Sequence, residues 1–198
     1  MNETASITDK QLKIIEAAGK ILSVGGIGGL TTKNLGKEMQ SSESAIYRHF
    51  ASKEDIIVGM LNYLAESLDE KYTLGISKSD SPDEKFIKLF QLQFDYFTQH
   101  PHFVLAVFSD GLLEESDKIN EAILGIMTMK HKHLFPIIQD GQTSGAFTSE
   151  LPIEDILHIS MGAIRLQMFK WRVAEYQFDL NEAGNKIVHS VLNLIKTK

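Results

Sequence analysis

An all-α fold of about nine helices is predicted, on three observations. Apolar residues recur every three or four positions along most of the chain, the period of a helix with one buried face, and nowhere alternate as a strand requires. Helix-start signals recur as Thr8-Asp-Lys-Gln11, Ser52-Lys-Glu-Asp55 and Ser81-Pro82-Asp83-Glu84, each placing a hydroxyl ahead of a side chain that can reach back to it. Of four prolines, Pro82, Pro101 and Pro152 stand where helices could begin, because the first helical turn needs no N–H there.

In order, helices are expected at 8–24, 32–39, 43–49, 53–72, 82–99, 102–112, 117–140, 153–176 and 181–196. The first should stop at Gly25-Gly-Ile-Gly-Gly29, since each interior glycine costs about 1 kcal/mol relative to alanine. Thr73 to Ser81 reads as a polar connector and Asp140 to Gly145 as a loop. Two very short helices near the start give a small head, residues 1–52, ahead of a larger body, residues 53–198.

Composition narrows the function. With 20 Lys+Arg against 26 Asp+Glu the 198-residue chain carries −6, which excludes a polybasic coat. The absence of cysteine excludes disulfides, thiolate metal sites and a thiol nucleophile. The first ten residues lack the order of a signal peptide, and no apolar run reaches the ~18 residues of a membrane span. A soluble, cytoplasmic protein with no membrane partner is expected. Gly-x-Ser-x-Gly and His-Glu-x-x-His are missing, and the glycine run fits neither a dinucleotide nor a P-loop fingerprint, so no enzyme is expected. The pairs His100/His102 and His131/His133 read as surface or cap histidines; no metal and no cofactor are expected.

Residues 30–57 carry the specific signal. Thr32 can open a helix that turns Leu35 and Met39 inward. Gln40-Ser41-Ser42 breaks it, and Ser42 caps a second short helix that buries Ala45, Ile46 and Phe50. Two short helices across a tight break form a helix-turn-helix, whose second member enters the DNA major groove. Leu30-Thr31-Thr32, Leu35-Gly-Lys-Glu38, Ser42, Ile46-Tyr-Arg-His-Phe50 and Ser52-Lys-Glu-Asp-Ile-Ile57 together resemble the TetR family of bacterial transcriptional regulators over about residues 10–60. The chain departs from that pattern at the turn, with Gln40 where the family usually has glycine, Ser41 where it has an apolar residue, and Glu43-Ser44 where Lys-Gly is frequent.

The resemblance implies backbone contacts from Tyr47, His49 and Lys53. Thr32 and Ser42, at helix starts, can hold phosphate. The Arg48 fork suits guanine O6/N7, and Glu43 and Ser44 come next, a carboxylate being able to accept from cytosine N4. For Phe50 the core reading is taken. Residues 1–60 hold seven Lys/Arg and seven Asp/Glu, so a second copy is needed for useful affinity.

In the body, Phe86, Phe90, Phe94 and Phe97 form one helical stripe, joined by Phe103, Met127, Met161 and Met168 from later segments. Such a stripe is ordinarily core; the resemblance implies that part of this interior is a cavity for an apolar or amphipathic effector. The last two helices are apolar on more than one face, and resembling proteins pair these across a two-fold axis. Ile164, Arg165, Trp171, Val188, Val191 and Ile195 are therefore the dimer-seam candidates, with an intramolecular bundle as the alternative. Arg165 could instead meet an anionic ligand head, although an ion pair at the seam is preferred. The function expected is a homodimeric repressor that binds a pseudo-palindromic operator on double-stranded DNA and is released by a small molecule. The rivals are a DNA-bound scaffold holding a protein partner and a helical enzyme.

Overall fold

The start signals close as hydrogen-bonded caps. Thr8 and Ser81 each form a reciprocal capping box, with Gln11 and Glu84, and Ser52 Oγ accepts from the Asp55 amide at 3.0 Å while donating to its carboxylate. The computed structural model describes residues 7–108 and 116–197. Among them are nine helices: α1 (Asp9–Gly29), α2 (Thr32–Glu38), α3 (Glu43–Tyr47), α4 (Lys53–Gly75), α5 (Pro82–Gln99), α6 (His102–Phe108), α7 (Asp117–Thr143), α8 (Ile153–Val173) and α9 (Leu180–Ile195). The only extended pairing among these residues is an isolated bridge from Phe147 to Lys196, which ties the end of α9 to the α7–α8 loop.

Four boundaries differ from expectation by three residues or more; one is the end of α4, expected at 72, which runs into the predicted connector as far as Gly75. Helical bonding in α1 persists to Gly29, but across a break at Gly26, where φ is 59° and ψ −163°. Its last carbonyls find donors in Asn34 Nδ2, on Gly29 O at 2.7 Å, and Lys53 Nζ, on Ile27 O at 3.2 Å. The segment from Asp140 continues α7 to Thr143, because Gly141 lies against the Phe147 ring and is buried rather than looped out. Helix α8 stops at Val173, since Glu175 and Tyr176 adopt positive φ of 51° and 62°. The expected end of the sixth helix, residues 109–112, lies outside the described residues.

The head packs Ile14, Ile15, Leu22, Leu30, Leu35, Ile46 and Phe50 onto the first turns of α4, where Gly59 admits the Phe50 ring. In the body α4 lies on α7, and α5 lies on α9, with Phe94 seated on Gly184. This packing overturns most of the seam expectation. Ile164, Trp171, Val188, Val191 and Ile195 are all buried inside the single chain. Helix α9 packs on both α5 and α8, so its amphipathic face is consumed within its own bundle, and Trp171 donates to the Phe178 carbonyl at 2.9 Å. On these two helices the large apolar residues left outside are Ile159, Leu166, Phe169 and Val173, one stripe on α8, and Leu194 on α9.

Gly141→Ala should cost about 1–3 kcal/mol, since a Cβ there collides with Phe147. Gly25→Ala, with open space around it, should be neutral or stabilising by about 0.5–1 kcal/mol. Urea unfolding of both variants at equal protein concentration checks the contrast.

Candidate nucleic-acid interface and ligand cavity

The head's geometry starts from two tight points. At Gly36 a Cβ would sit 2.9 Å from Ser41 O, and the Ser41 amide bonds Gly36 O at 2.9 Å, so only glycine lets the turn close. Gln40 takes φ 50°, the left-handed conformation that the missing glycine would adopt without strain. Thr31, rather than Thr32, caps α2, accepting from the Asn34 amide at 3.1 Å. Thr32 follows as the first helical residue and its hydroxyl donates to Glu43 Oε2 at 2.8 Å, locking the start of α3 to the start of α2. Ser42 Oγ caps the Ala45 amide at 3.3 Å and touches Ser44 Oγ at 3.0 Å.

These bonds leave one exposed polar face. Ser42, Glu43, Ser44, Tyr47 and Arg48 are exposed, with Tyr47 at 47%, while Ile46 and Phe50 are buried beneath them. Helix α3 ends at Tyr47, two residues short of expectation, and Arg48 forms its C-cap. His49 is half-buried, its carbonyl accepting from Gln11 Nε2 at 3.4 Å. Lys53 is folded back onto the end of α1. Lys33 and Lys37 are also exposed on α2 and were not named as contact residues from the sequence.

A second feature lies between α7 and α8. A cavity of about 250 Å³ is lined by Phe97, Met127, Met161 and Met168 among the expected effector residues. Phe86, Phe90, Phe94 and Phe103 are not part of it: all are essentially inaccessible, with Phe86 edge-on to Phe90 at 5.1 Å and Phe103 stacked on Tyr96 at 5.8 Å. Only Phe97, at the last turn of α5, is rotated toward the gap. Ile123, Ile126, Val107 and Phe108 complete the apolar wall. Arg165, expected at a dimer seam, lines the cavity, with its guanidinium carbon 4.7 Å from the Phe108 ring centre. Lys130 and His158 join it and were missed. The signal for Lys130 was present: it interrupts the stripe Ile119, Ile123, Ile126, Leu134, Ile137 at the position of an apolar residue. Burial and the charge of Arg165 push the Lys130 ammonium down to about 8.

Cavity and head share neighbours. Helix α6 gives Val107 and Phe108 to the cavity, and its first residue, His102, lies directly on Gly19 of α1. Arg172 Nη1 holds the Phe108 carbonyl at 2.6 Å. A buried polar thread also leaves the cavity wall: Gln93 Nε2 donates to Met168 Sδ at 2.8 Å, and Tyr72 of α4 donates to Gln93 Oε1 at 3.3 Å. Lys118, at the start of α7, bridges Glu54 and Asp55 at the start of α4 at 3.5 and 3.3 Å. The other histidines are structural partners, His131 of Glu154 at 3.2 Å and His133 of Asp69 at 2.6 Å. No cluster of three His, Cys, Asp or Glu suited to a metal occurs among the described residues, and no helix there is long and apolar enough to cross a membrane.

Residues 14–60 match the family model for bacterial regulatory proteins of the tetR family, and residues 61–195 match that for the C-terminal region of YsiA-like proteins. The nucleoid occlusion factor SlmA of Shewanella pealeana is 27% identical over 56% of this chain and 56% of its own. The chain spans about half the length of the first curated relatives it matches. The fatty acid metabolism regulator protein of Bacillus subtilis is 21% identical over 96% of this chain and 97% of its own. The crystal structure of the transcriptional regulator FadR from Bacillus subtilis in complex with stearoyl-CoA superposes with a TM-score of 0.83 at 19% identity, covering 93% of this chain and 98% of that one. That likeness is one of fold.

His102 carries a pH signature. Burial, reinforced by the neighbouring His100 ring, pushes its pKa down to about 4, so it is neutral where it packs on Gly19. The unfolded chain takes up that proton near pH 6.5, the native state only near 4, so stability present above 6.5 is lost as pH falls toward 4. Thermal unfolding at pH 7.5 and 5 should show a larger loss for wild type than for His102→Phe; equal losses would exclude this origin.

Proposed function

The chain belongs to the TetR family of bacterial regulatory proteins, and on that premise we propose that this DNA-binding transcriptional regulator is a dimeric repressor released by an amphipathic small molecule. Two copies of α3 would enter successive major grooves of a pseudo-palindrome, about 34–36 Å apart or a little more. Arg48, then Ser44, would reach base edges; Thr32, Ser42, Tyr47, His49 and a Lys53 released from Ile27 would hold the phosphate backbone; Glu43 would discriminate more than it binds. The dimer forms through the exposed apolar stripe of Ile159, Leu166, Phe169 and Val173 with Leu194, since the residues first expected there are already buried.

The observation that carries the ligand response is that α6 touches both the cavity, through Phe108, and the head, through His102 on Gly19. A ligand that packs better when α6 is displaced stabilises a dimer whose heads are wrongly spaced, and coupling of ~1–3 kcal/mol suffices. The structure solved with stearoyl-CoA and the fatty acid metabolism regulator support an amphipathic effector for this chain. Likeness to a nucleoid occlusion factor favours the second reading, a DNA-bound scaffold for a protein partner, as does the closed packing around Phe90 and Phe94.

Both readings are separable with a duplex selected by the wild-type protein from a random-sequence pool. Arg48→Ala should relax base preference, at ~1–3 kcal/mol, whereas Lys53→Ala should weaken all sequences alike and lower the salt slope by about one. Gly162→Leu fills the cavity from α8, where a Cβ meets nothing within 4 Å, and should weaken operator binding about tenfold without touching the head. Unchanged operator affinity in Gly162→Leu would favour the scaffold.

A further inference from the structure

Resting on the ligand-responsive reading, we propose that the α7–α8 cavity is built for a monocarboxylate of about eight carbons in all, its carboxylate clasped between Lys130 and Arg165. Three observations converge on this chemistry. The two cations line one apolar cavity, and neither makes an ion pair among the described residues. Like charges facing each other in an apolar wall are costly, and an anion placed between them removes both the repulsion and the desolvation penalty. The depression of the Lys130 pKa reports that cost.

The cavity is also polarised. Phe97, Ile123, Ile126 and Met168 in its wall are buried, while Arg165 and His158 are exposed, so an amphiphile enters tail first. A 150 Å³ cavity holds benzene, about 25 Å³ per heavy atom, so 250 Å³ holds roughly ten heavy atoms. Octanoate has that number. The surroundings favour a small head over a polyanionic one: residues 61–198 hold 13 Lys/Arg against 19 Asp/Glu, and Glu154 stands with His158 on the adjoining groove. A nucleotide head would bring several charges against an acidic surface; one carboxylate matches one pair of cations.

Titration calorimetry of the DNA-free protein with sodium octanoate, 1-octanol and octanoyl-coenzyme A tests the assignment. Octanoate should bind once per chain and about tenfold or more tighter than octanol, and that preference should collapse in Lys130→Met and in the exposed-site variant Arg165→Gln. Octanol binding within twofold of octanoate, a preference that survives both substitutions, or octanoyl-coenzyme A binding tighter than octanoate would each overturn it. An operator effect of Gly162→Leu without binding of octanoate overturns the carboxylate alone; no effect of Gly162→Leu removes the ligand response beneath it.

Discussion

One helix, α4, is sealed into two cores at once, and the rest of the molecule is arranged around that constraint. Its 23 residues span about 34 Å. Ile56, Ile57 and Met60 pack with Phe50 under the head, and Leu64, Leu68 and Tyr72 are buried in the body. Neither end can slide without opening a cavity or burying an unpaired group, so α4 moves as a rod. Lys118 on its first turn and Lys132 and His133 on Asp69 fasten α7 along the same rod. Helices α6 and α7 thus both contact elements that carry the head, α6 through His102 on Gly19 and α7 through Lys118 on Glu54 and Asp55.

The chemistry at the two ends is complementary in kind. The head has no net charge over residues 1–60 and holds its reading side chains by short local bonds, above all Thr32 to Glu43. A neutral head gives a single copy little general attraction for phosphate. The body differs in kind: Lys130 and Arg165, which make no ion pair among the described residues, line a cavity walled by methionine and phenylalanine.

The fold was almost wholly legible because it is written in local signals. Caps at Thr8, Ser42, Ser52 and Ser81 and the period of apolar residues give nine helices to within a few positions. Where helix ends were misjudged, side-chain packing and backbone conformation decided. Gly141 is helical because the Phe147 ring, six residues on, lies against it, and helical periodicity does not show that contact. The head was legible for a second reason: the strained Gln40 and the capping Ser42 fix the turn within ten residues. The body site was not. Phe90 and Phe97 share one stripe and one burial pattern, and only the placement of α7 and α8 decides which borders a void. Similarly, Val188 and Leu194 lie on the same amphipathic helix, and which faces outward depends on how α5 has already covered it.

The distance between the two heads is the quantity on which a cavity-driven switch stands. The chain has no cysteine, so Lys13→Cys on the exposed face of α1 gives a single spin-label site per copy. Pulsed dipolar spectroscopy on the operator-bound dimer should give one narrow distance distribution, displaced when Gly162→Leu fills the cavity in the DNA-free protein. Identical distributions with and without the filled cavity, or no dipolar coupling at all, would contradict the coupling of cavity to heads.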